Sequence, residues 1–143
     1  TMSNLNLKAT KAASRFLEHR GYEVLETGWK CPAGTSDIVA EDGDVLVFVD
    51  VSARSSIDRG FPTDSCSRET RTRREMVALA YLAEHSDVTE RPVRFDNVAL
   101  LVVGPDRAMV RHHINALGEG AAQPQPEATM PTGADLQALP EAA

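Results

Sequence analysis

The stretch GTSDIVAEDGDVLVFVDVSAR, residues 34–54, decides the fold, because its pattern predicts a β-hairpin. The segment from Ser36 to Glu41 predicts the first strand of this hairpin. Asp42-Gly43-Asp44 predicts a tight turn, since Gly43 can adopt the positive φ that such a turn needs. The run Val45–Val49 is continuously apolar and rich in β-branched residues, which is typical of a central strand covered on both faces.

Two carboxylates stand at the ends of these predicted strands. Asp37 lies near the start of the first strand, and Asp50 directly follows the apolar run. Carboxylates at the ends of adjacent buried strands can converge on one side of a sheet, where their oxygens suit a hard cation such as Mg²⁺. The alternative is that both are strand-end carboxylates in contact with water. Spacing alone leaves these two interpretations open.

Helical and strand patterns continue on both sides of the hairpin. Apolar residues at helical spacing predict a helix from Leu5 to Arg20, which Gly21 ends. A second helix is predicted from a cap at Ser67 to about His85. Its predicted apolar side comprises Met76, Val77, Leu79, Ala80 and Leu82. Further strands are predicted over Tyr22–Lys30, Arg94–Val103 and Ala108–Ile114. The order α-β-β-β-α-β-β predicts an α/β protein with a mixed sheet flanked by helices.

Composition predicts one domain followed by a tail. With 143 residues, of which 42% are hydrophobic, the chain can bury one core. Residues 1–117 form the predicted domain, whereas residues 118–143 are rich in Ala, Pro and acidic residues and predict disorder. No run reaches the length of a membrane-spanning helix and no signal peptide is visible, so we expect a cytoplasmic protein without membrane contact.

Net charge is distributed unevenly along the chain. The total is −6, which argues weakly against a nucleic-acid partner. Four of the 21 acidic residues, and no basic residue, lie in residues 118–143. The remaining 17 acidic residues stand against 15 basic residues in residues 1–117, a net charge of −2. Any electrostatic attraction for nucleic acid must therefore come from a local cluster.

Arginines cluster around the start of the second predicted helix. They are Arg54, Arg68, Arg71, Arg73 and Arg74. Guanidinium groups suit bidentate contacts with phosphate. At a helix N-terminus they oppose the macrodipole, and this cost to stability favours a functional reason for the cluster. The alternative is a solvated helix face whose charge Glu69 and Glu75 partly neutralise.

The stretch FLEHRGYEVLETGWKCPAGTSDIVAEDGDVLVFVDVSAR, residues 16–54, resembles the YraN-like family of uncharacterised bacterial proteins. Later matches are YLAEH at 81–85, PVRFD at 92–96 and HINAL at 113–117, so the resemblance covers roughly residues 9–117. That family is similar to the archaeal Holliday-junction resolvases and belongs with the PD-(D/E)xK nucleases. The resemblance implies a restriction-endonuclease-like fold with the same order of helices and strands, and a nuclease site that uses Mg²⁺ or Mn²⁺.

The resemblance also implies the site residues, and this chain departs from the family at several of them. The implied metal ligands are Asp37, Asp50 and the main-chain carbonyl of Val51. Three implied catalytic positions are degenerate, with Thr10 and Thr35 in place of glutamates and Ser52 in place of the lysine. Asp50 itself stands in place of a glutamate. Because two carboxylates and one carbonyl leave most coordination positions to water, we expect weak Mg²⁺ or Mn²⁺ binding at most. Serine cannot supply the lost positive charge, so we expect catalysis to be lost or much weakened. The first candidates for the role of the lysine are Lys30 and Arg54.

These observations support three hypotheses about function. The leading hypothesis is a nucleic-acid-binding protein, derived from a nuclease, in which catalysis is lost or much weakened. The second is a metal-dependent, structure-specific DNA endonuclease with a rearranged site, resembling the junction resolvases. The third is a protein-interaction module that uses the sheet edge or the tail and binds no nucleic acid. Under the first two hypotheses the partner is DNA, branched or linear, and a homodimer is compatible with both.

Overall fold

The computed structural model describes residues 4–55, 60–61, 67–105, 107–114 and 128–129. Within these residues the helices and strands are α1 (Asn4–His19), β1 (Glu23–Cys31), β2 (Gly34–Asp42), β3 (Val45–Arg54), α2 (Arg68–Glu84), β4 (Val93–Gly104), β5 (Arg107–His113) and β6 (Ala128–Thr129). A short 3-10 helix, Ser86–Val88, follows α2. Apart from the two-residue strand β6, this is the predicted α-β-β-β-α-β-β order.

The strands form one mixed sheet in the order β1-β2-β3-β4-β5-β6. β1, β2 and β3 pair antiparallel in sequence, β3 pairs parallel with β4, and β5 and β6 are again antiparallel to their neighbours. A parallel pair needs a crossover connection, and α2 lies in the connection from β3 to β4. The predicted α/β class, with the element order expected of a restriction-endonuclease-like fold, is confirmed.

β3 lies in the middle of the sheet and is covered on both faces. Val47 and Val49 pack in the apolar cluster that includes α1, whereas Leu46 and Phe48 pack in the cluster that includes α2. Because side chains alternate along a strand, this burial on two faces requires a continuous apolar run, as the sequence predicts. The turn before β3 also has its predicted form, with Gly43 at φ 63°.

α2 begins at the predicted cap but presents a different face to the core. The Thr70 amide donates to Ser67 Oγ at 3.1 Å, which satisfies one of the free donors of the first turn. The placement of Met76 and Leu79 on the buried side is wrong, because they are 51% and 61% exposed. The buried residues are Val77, Ala78 and Tyr81. The Tyr81 ring packs edge-on against Phe48, so the largest side chain sets the rotation of the helix. Neither α1 nor α2, as described, is long and apolar enough to cross a membrane.

On the α1 side of the sheet, polar side chains form a buried ionic cluster around Asp96. The Asp96 carboxylate accepts from Arg94 Nε at 2.9 Å and contacts His112 Nε2 at 2.9 Å. The Tyr22 hydroxyl lies 3.3 Å from Asp96 Oδ2, and Arg94 NH1 donates to Asp42 Oδ2 at 2.9 Å. The side chains of Asp96 and His112 have no exposed surface. Since a buried charge is tolerated only when it is paired and hydrogen-bonded, these residues stabilise the fold as a unit.

Both tyrosines of the chain are expected to resist ionisation in the folded state. Burial and the Asp96 carboxylate raise the pKa of Tyr22 to about 12. Burial and a hydrogen bond with Glu26 raise the pKa of Tyr81 to about 12. Below the ordinary pKa of 10.0, both phenols are protonated in the folded and unfolded chain. Between that pH and about 12 only the unfolded chain loses these protons, so stability falls as the pH rises.

A pH titration followed by the ultraviolet absorbance of tyrosinate tests this expectation. The native chain should show no tyrosinate below about pH 11, and its transition near 12 should accompany unfolding, whereas the chain in denaturant should titrate near pH 10. Tyr22→Phe and Tyr81→Phe variants assign the two phenols. A transition near pH 10 in the folded protein would show that at least one tyrosine is in contact with water.

β6 comes from the segment for which the sequence predicts disorder. Ala128 pairs with Val110, and Thr129 pairs with Met109, so these two residues extend the sheet beyond β5. The rest of residues 118–143 lies outside the described residues, together with the prediction made for it.

Candidate functional site

A polar pocket opens where β2 and β3 separate. The two strands are paired between the Asp42–Val45 pair, next to the turn, and the Ile38–Val49 pair. The residues of β2 before Ile38 stay paired with β1 but are no longer paired with β3. The pocket has a volume of about 280 Å³. The predicted site residues in its lining are Thr35, Asp37, Asp50, Val51 and Ser52, and the lining is completed by Arg73, Arg74, Val77 and Asn97. The structure therefore brings together the residues of the hairpin with the first turns of α2.

Asp37 holds the two strands together at the point of separation. Its Oδ2 accepts a hydrogen bond from the Val51 amide at 2.8 Å, a donor that a continuous ladder would pair with a main-chain carbonyl. Burial raises the pKa of Asp37, and the nearby Asp50 carboxylate raises this pKa further, against the opposing effects of the Val51 hydrogen bond and of Arg74. The carboxylate is therefore partly desolvated and already has one donor.

Asp50 is neutralised by an arginine that the sequence analysis placed with the phosphate-binding residues. Arg74 Nε forms an ion pair with Asp50 Oδ2, and the two side chains are 11% and 29% exposed. Arg74 lies three, four and seven residues before Val77, Ala78 and Tyr81, which are the buried residues of α2. Residues at this spacing share one helix face, so Arg74 lies on the face of α2 that packs against the sheet, whereas Arg71 and Arg73 are exposed.

Asn97 also lines the pocket, although no pattern in the sequence predicts it as a site residue. It lies directly opposite Asp50 in the parallel register of β3 and β4, so both side chains are on the same face of the sheet. Asn97 is 2% exposed, and its Oδ1 has no hydrogen-bond partner among the described residues. The same holds for Ser52 Oγ. Buried polar atoms are normally paired, so these two atoms indicate that the pocket accommodates a polar ligand or water.

Three other predicted residues have different surroundings. Thr10 is buried in α1, where its carbonyl accepts from Ser14 Oγ at 2.9 Å, and it does not line the pocket. Arg54 NH1 donates to the carbonyls of Gly60 and Phe61 at 3.4 and 3.3 Å. Lys30 is exposed and pairs with Thr35 across the β1–β2 ladder, but it is also absent from the pocket lining. Of the arginines and lysines singled out by sequence, the pocket is lined by Arg73 and Arg74.

The three other arginines of α2 are exposed near the start of the helix, and one of them, Arg73, also lines the pocket. Arg68, Arg71 and Arg73 are all exposed and lie within the first two turns of the helix. A Cβ added to Gly34 would lie 3.4 Å from Cδ of Arg73. The stem of Arg73 therefore lies against the start of β2, within van der Waals reach of this position, and the residue lines the pocket.

The donor set does not fit a resident divalent cation. Mg²⁺ and Mn²⁺ require several oxygen ligands that are free to coordinate. Here the Asp50 carboxylate is engaged by Arg74, and the Asp37 carboxylate by the Val51 amide. Among the described residues, no group of three or more His, Cys, Asp or Glu side chains could hold a metal ion. The arginines, hydroxyls and amide of the pocket are instead suited to hydrogen-bonding an anion.

The fold and the pocket first define a class: an α/β protein whose mixed sheet lies between two helices and carries a carboxylate- and arginine-lined pocket beside its central strand. Residues 9–100 match the uncharacterised protein family UPF0102. The chain belongs to this family, and the YraN-like resemblance is thereby confirmed.

The chain is similar to UPF0102 proteins from several bacteria. The protein of Beutenbergia cavernae is 44% identical over 102 residues, which cover 71% of this chain and 86% of the relative. A relative from Roseiflexus castenholzii is 47% identical over 91 residues, with 63% and 73% covered. A third, from Myxococcus xanthus, is 39% identical over 110 residues, with 77% and 86% covered.

Proposed function

We propose that this chain binds DNA through phosphate contacts made by the arginines at the start of α2, and that metal-dependent cleavage is lost or much weakened. The observation that carries the proposal is the exposure of Arg68, Arg71 and Arg73 in the first two turns of α2, the helix that also supplies Arg73 to the pocket. Phosphate contacts of this kind are independent of sequence, and arginine makes them bidentately. The resemblance to nucleases that act on branched DNA supports a DNA backbone as the ligand.

The charges in the pocket are compatible with an approaching phosphate. Two free carboxylates would repel it, but Arg74 neutralises Asp50 and Asp37 Oδ2 accepts a hydrogen bond from the Val51 amide. Thr35 and Ser52 offer hydroxyl groups, and Asn97 offers an amide, at the same pocket. Ser52 carries no charge that could replace the lysine, and the donor set does not fit a cation, so the arrangement supports binding rather than cleavage.

Arg71→Gln combined with Arg73→Gln is expected to weaken duplex binding at least about tenfold at 0.1 M salt and to lower the slope of log K against log salt by about 2, because each phosphate contact contributes about 0.9 to that slope. Fluorescence anisotropy with a labelled duplex and a labelled four-way junction, at several salt concentrations, measures both quantities. The two DNA forms also reveal any preference for branches.

The matched control is Lys8→Gln with Arg20→Gln. Lys8 is exposed on α1 and Arg20 is exposed directly after its end. α1 packs on the opposite face of the sheet from α2, and the control changes net charge equally. Affinity and slope should stay close to those of the unmodified chain. If affinity and slope fell equally in the two double variants, binding would depend on overall charge and not on the arginines at the start of α2. No binding of either DNA by the unmodified chain would favour the protein-interaction module instead.

A further inference from the structure

We propose that the guanidinium of Arg74 takes the place of a divalent cation beside Asp50, so that this chain excludes Mg²⁺ and Mn²⁺ from the pocket and forms a cation site when Arg74 is removed. The inference goes beyond the proposed function, since it concerns what the pocket itself binds in the absence of DNA. It assigns to Arg74 a role distinct from that of the exposed arginines of the same helix.

Arg74 differs from those exposed arginines in its burial and in its contact with Asp50. Arg71 and Arg73 are exposed, whereas the Arg74 side chain is 11% exposed and is in contact with Asp50 Oδ2. Its charge also acts on Asp37, whose pKa it lowers against the effect of burial. One guanidinium therefore compensates both pocket carboxylates, the electrostatic task that a bound cation would otherwise perform.

Competition between Arg74 and a cation from solution favours the arginine. The guanidinium stays protonated throughout the accessible pH range, and its tether gives it a high effective concentration at Asp50. A Mn²⁺ ion entering the pocket would have to break the ion pair and leave Arg74 nearly buried without its counter-charge, which is strongly unfavourable. Exclusion thus follows from the cost of displacing the arginine.

Removing Arg74 would leave oxygen atoms that suit a hard cation. Asp37 and Asp50 supply carboxylates, and Asn97 supplies a carbonyl oxygen that is buried and has no hydrogen-bond partner among the described residues. Two carboxylates with neutral oxygens and water are a ligand set that Mg²⁺ and Mn²⁺ accept. The unpaired Oδ1 of Asn97 is an observation independent of the ion pair, and Asn97 lines the same pocket.

The test measures Mn²⁺ binding by the full chain without nucleic acid. Electron paramagnetic resonance detects the bound ion, and thermal unfolding detects the resulting change in stability. The unmodified chain should show no saturable binding below about 5 mM Mn²⁺ and a rise in Tm below about 1 °C, whereas Arg74→Met should bind at least about tenfold more tightly and should gain several degrees on adding Mn²⁺. Adding Asp37→Asn to Arg74→Met should abolish the gain. The matched control is Arg73→Met, which removes an equal charge at the same pocket and should change affinity less than about threefold.

Two results would overturn the proposal: saturable Mn²⁺ binding by the unmodified chain that Asp37→Asn abolishes, and an equal gain in Arg73→Met and Arg74→Met. If Arg74→Met does not fold, Arg74→Gln takes its place. The first of these results is measured on the unmodified chain and its Asp37→Asn variant, so it does not depend on either Arg74 variant. Because no DNA is present, the outcome is independent of whether the chain binds DNA.

Discussion

Replacing Asp96 with asparagine is expected to lower the melting temperature by about 10–20 °C. The substitution keeps the shape of the side chain but removes the charge that pairs with Arg94 and contacts His112. Breaking a buried pair by removing one partner costs about 3–5 kcal/mol, because the other charge stays buried. In a domain of this size each kcal/mol corresponds to about 3–4 °C. Asp96 has no exposed side-chain surface, so water cannot substitute for the lost contacts.

Thermal unfolding followed by circular dichroism measures this effect. The matched control is Asp44→Asn in the exposed turn before β3, which removes the same charge and should change stability by no more than about 0.5 kcal/mol. A loss of less than about 3 °C in Asp96→Asn would mean that the cluster relaxes to satisfy Arg94 without the carboxylate.

The second large effect is expected on the rate of DNA cleavage. The unmodified chain is expected to nick DNA little or not at all with Mg²⁺ or Mn²⁺. Thr35→Glu, Asp50→Glu and Ser52→Lys, joined by Arg74→Met, should raise Mn²⁺-dependent nicking by about 10²-fold or more. Regaining one well-placed electrostatic stabiliser is worth about 10²–10³ in rate. Arg74→Met is included because the guanidinium pairs with the carboxylate at position 50 and would otherwise compete with the metal ion for it.

Conversion of supercoiled plasmid to open circles measures nicking, and a labelled four-way junction measures structure-specific cleavage. Asp37→Asn in the restored variant is the control and should return the rate to background. Robust metal-dependent cleavage by the unmodified chain, abolished by Asp37→Ala, would instead support the endonuclease hypothesis. Arg74 would then be the first candidate for the role of the lysine, because Arg54 is hydrogen-bonded to Gly60 and Phe61 and Lys30 does not line the pocket.

The sequence by itself determined the order of the elements and the position of the central strand. The run Val45–Val49 predicts burial on two faces, which the clusters on both sides of β3 confirm. Gly43 and Ser67 mark a turn and a helix start through local backbone requirements, and both are found as predicted. The sequence also allows Asp37 and Asp50 to converge, because the hairpin that joins them is short and its register follows from the turn, and both line the pocket.

Only the tertiary structure decided what surrounds those carboxylates. Asn97 lies opposite Asp50 because β3 and β4 pair in parallel, and that register depends on how the crossover through α2 packs rather than on a local turn. Arg74 resembles Arg71 and Arg73 in sequence, and it reaches Asp50 because the packing of Tyr81 fixes the rotation of α2. The same rotation exposes Met76 and Leu79. Local patterns specify which segments form strands and helices, but contacts between distant segments specify which charges meet.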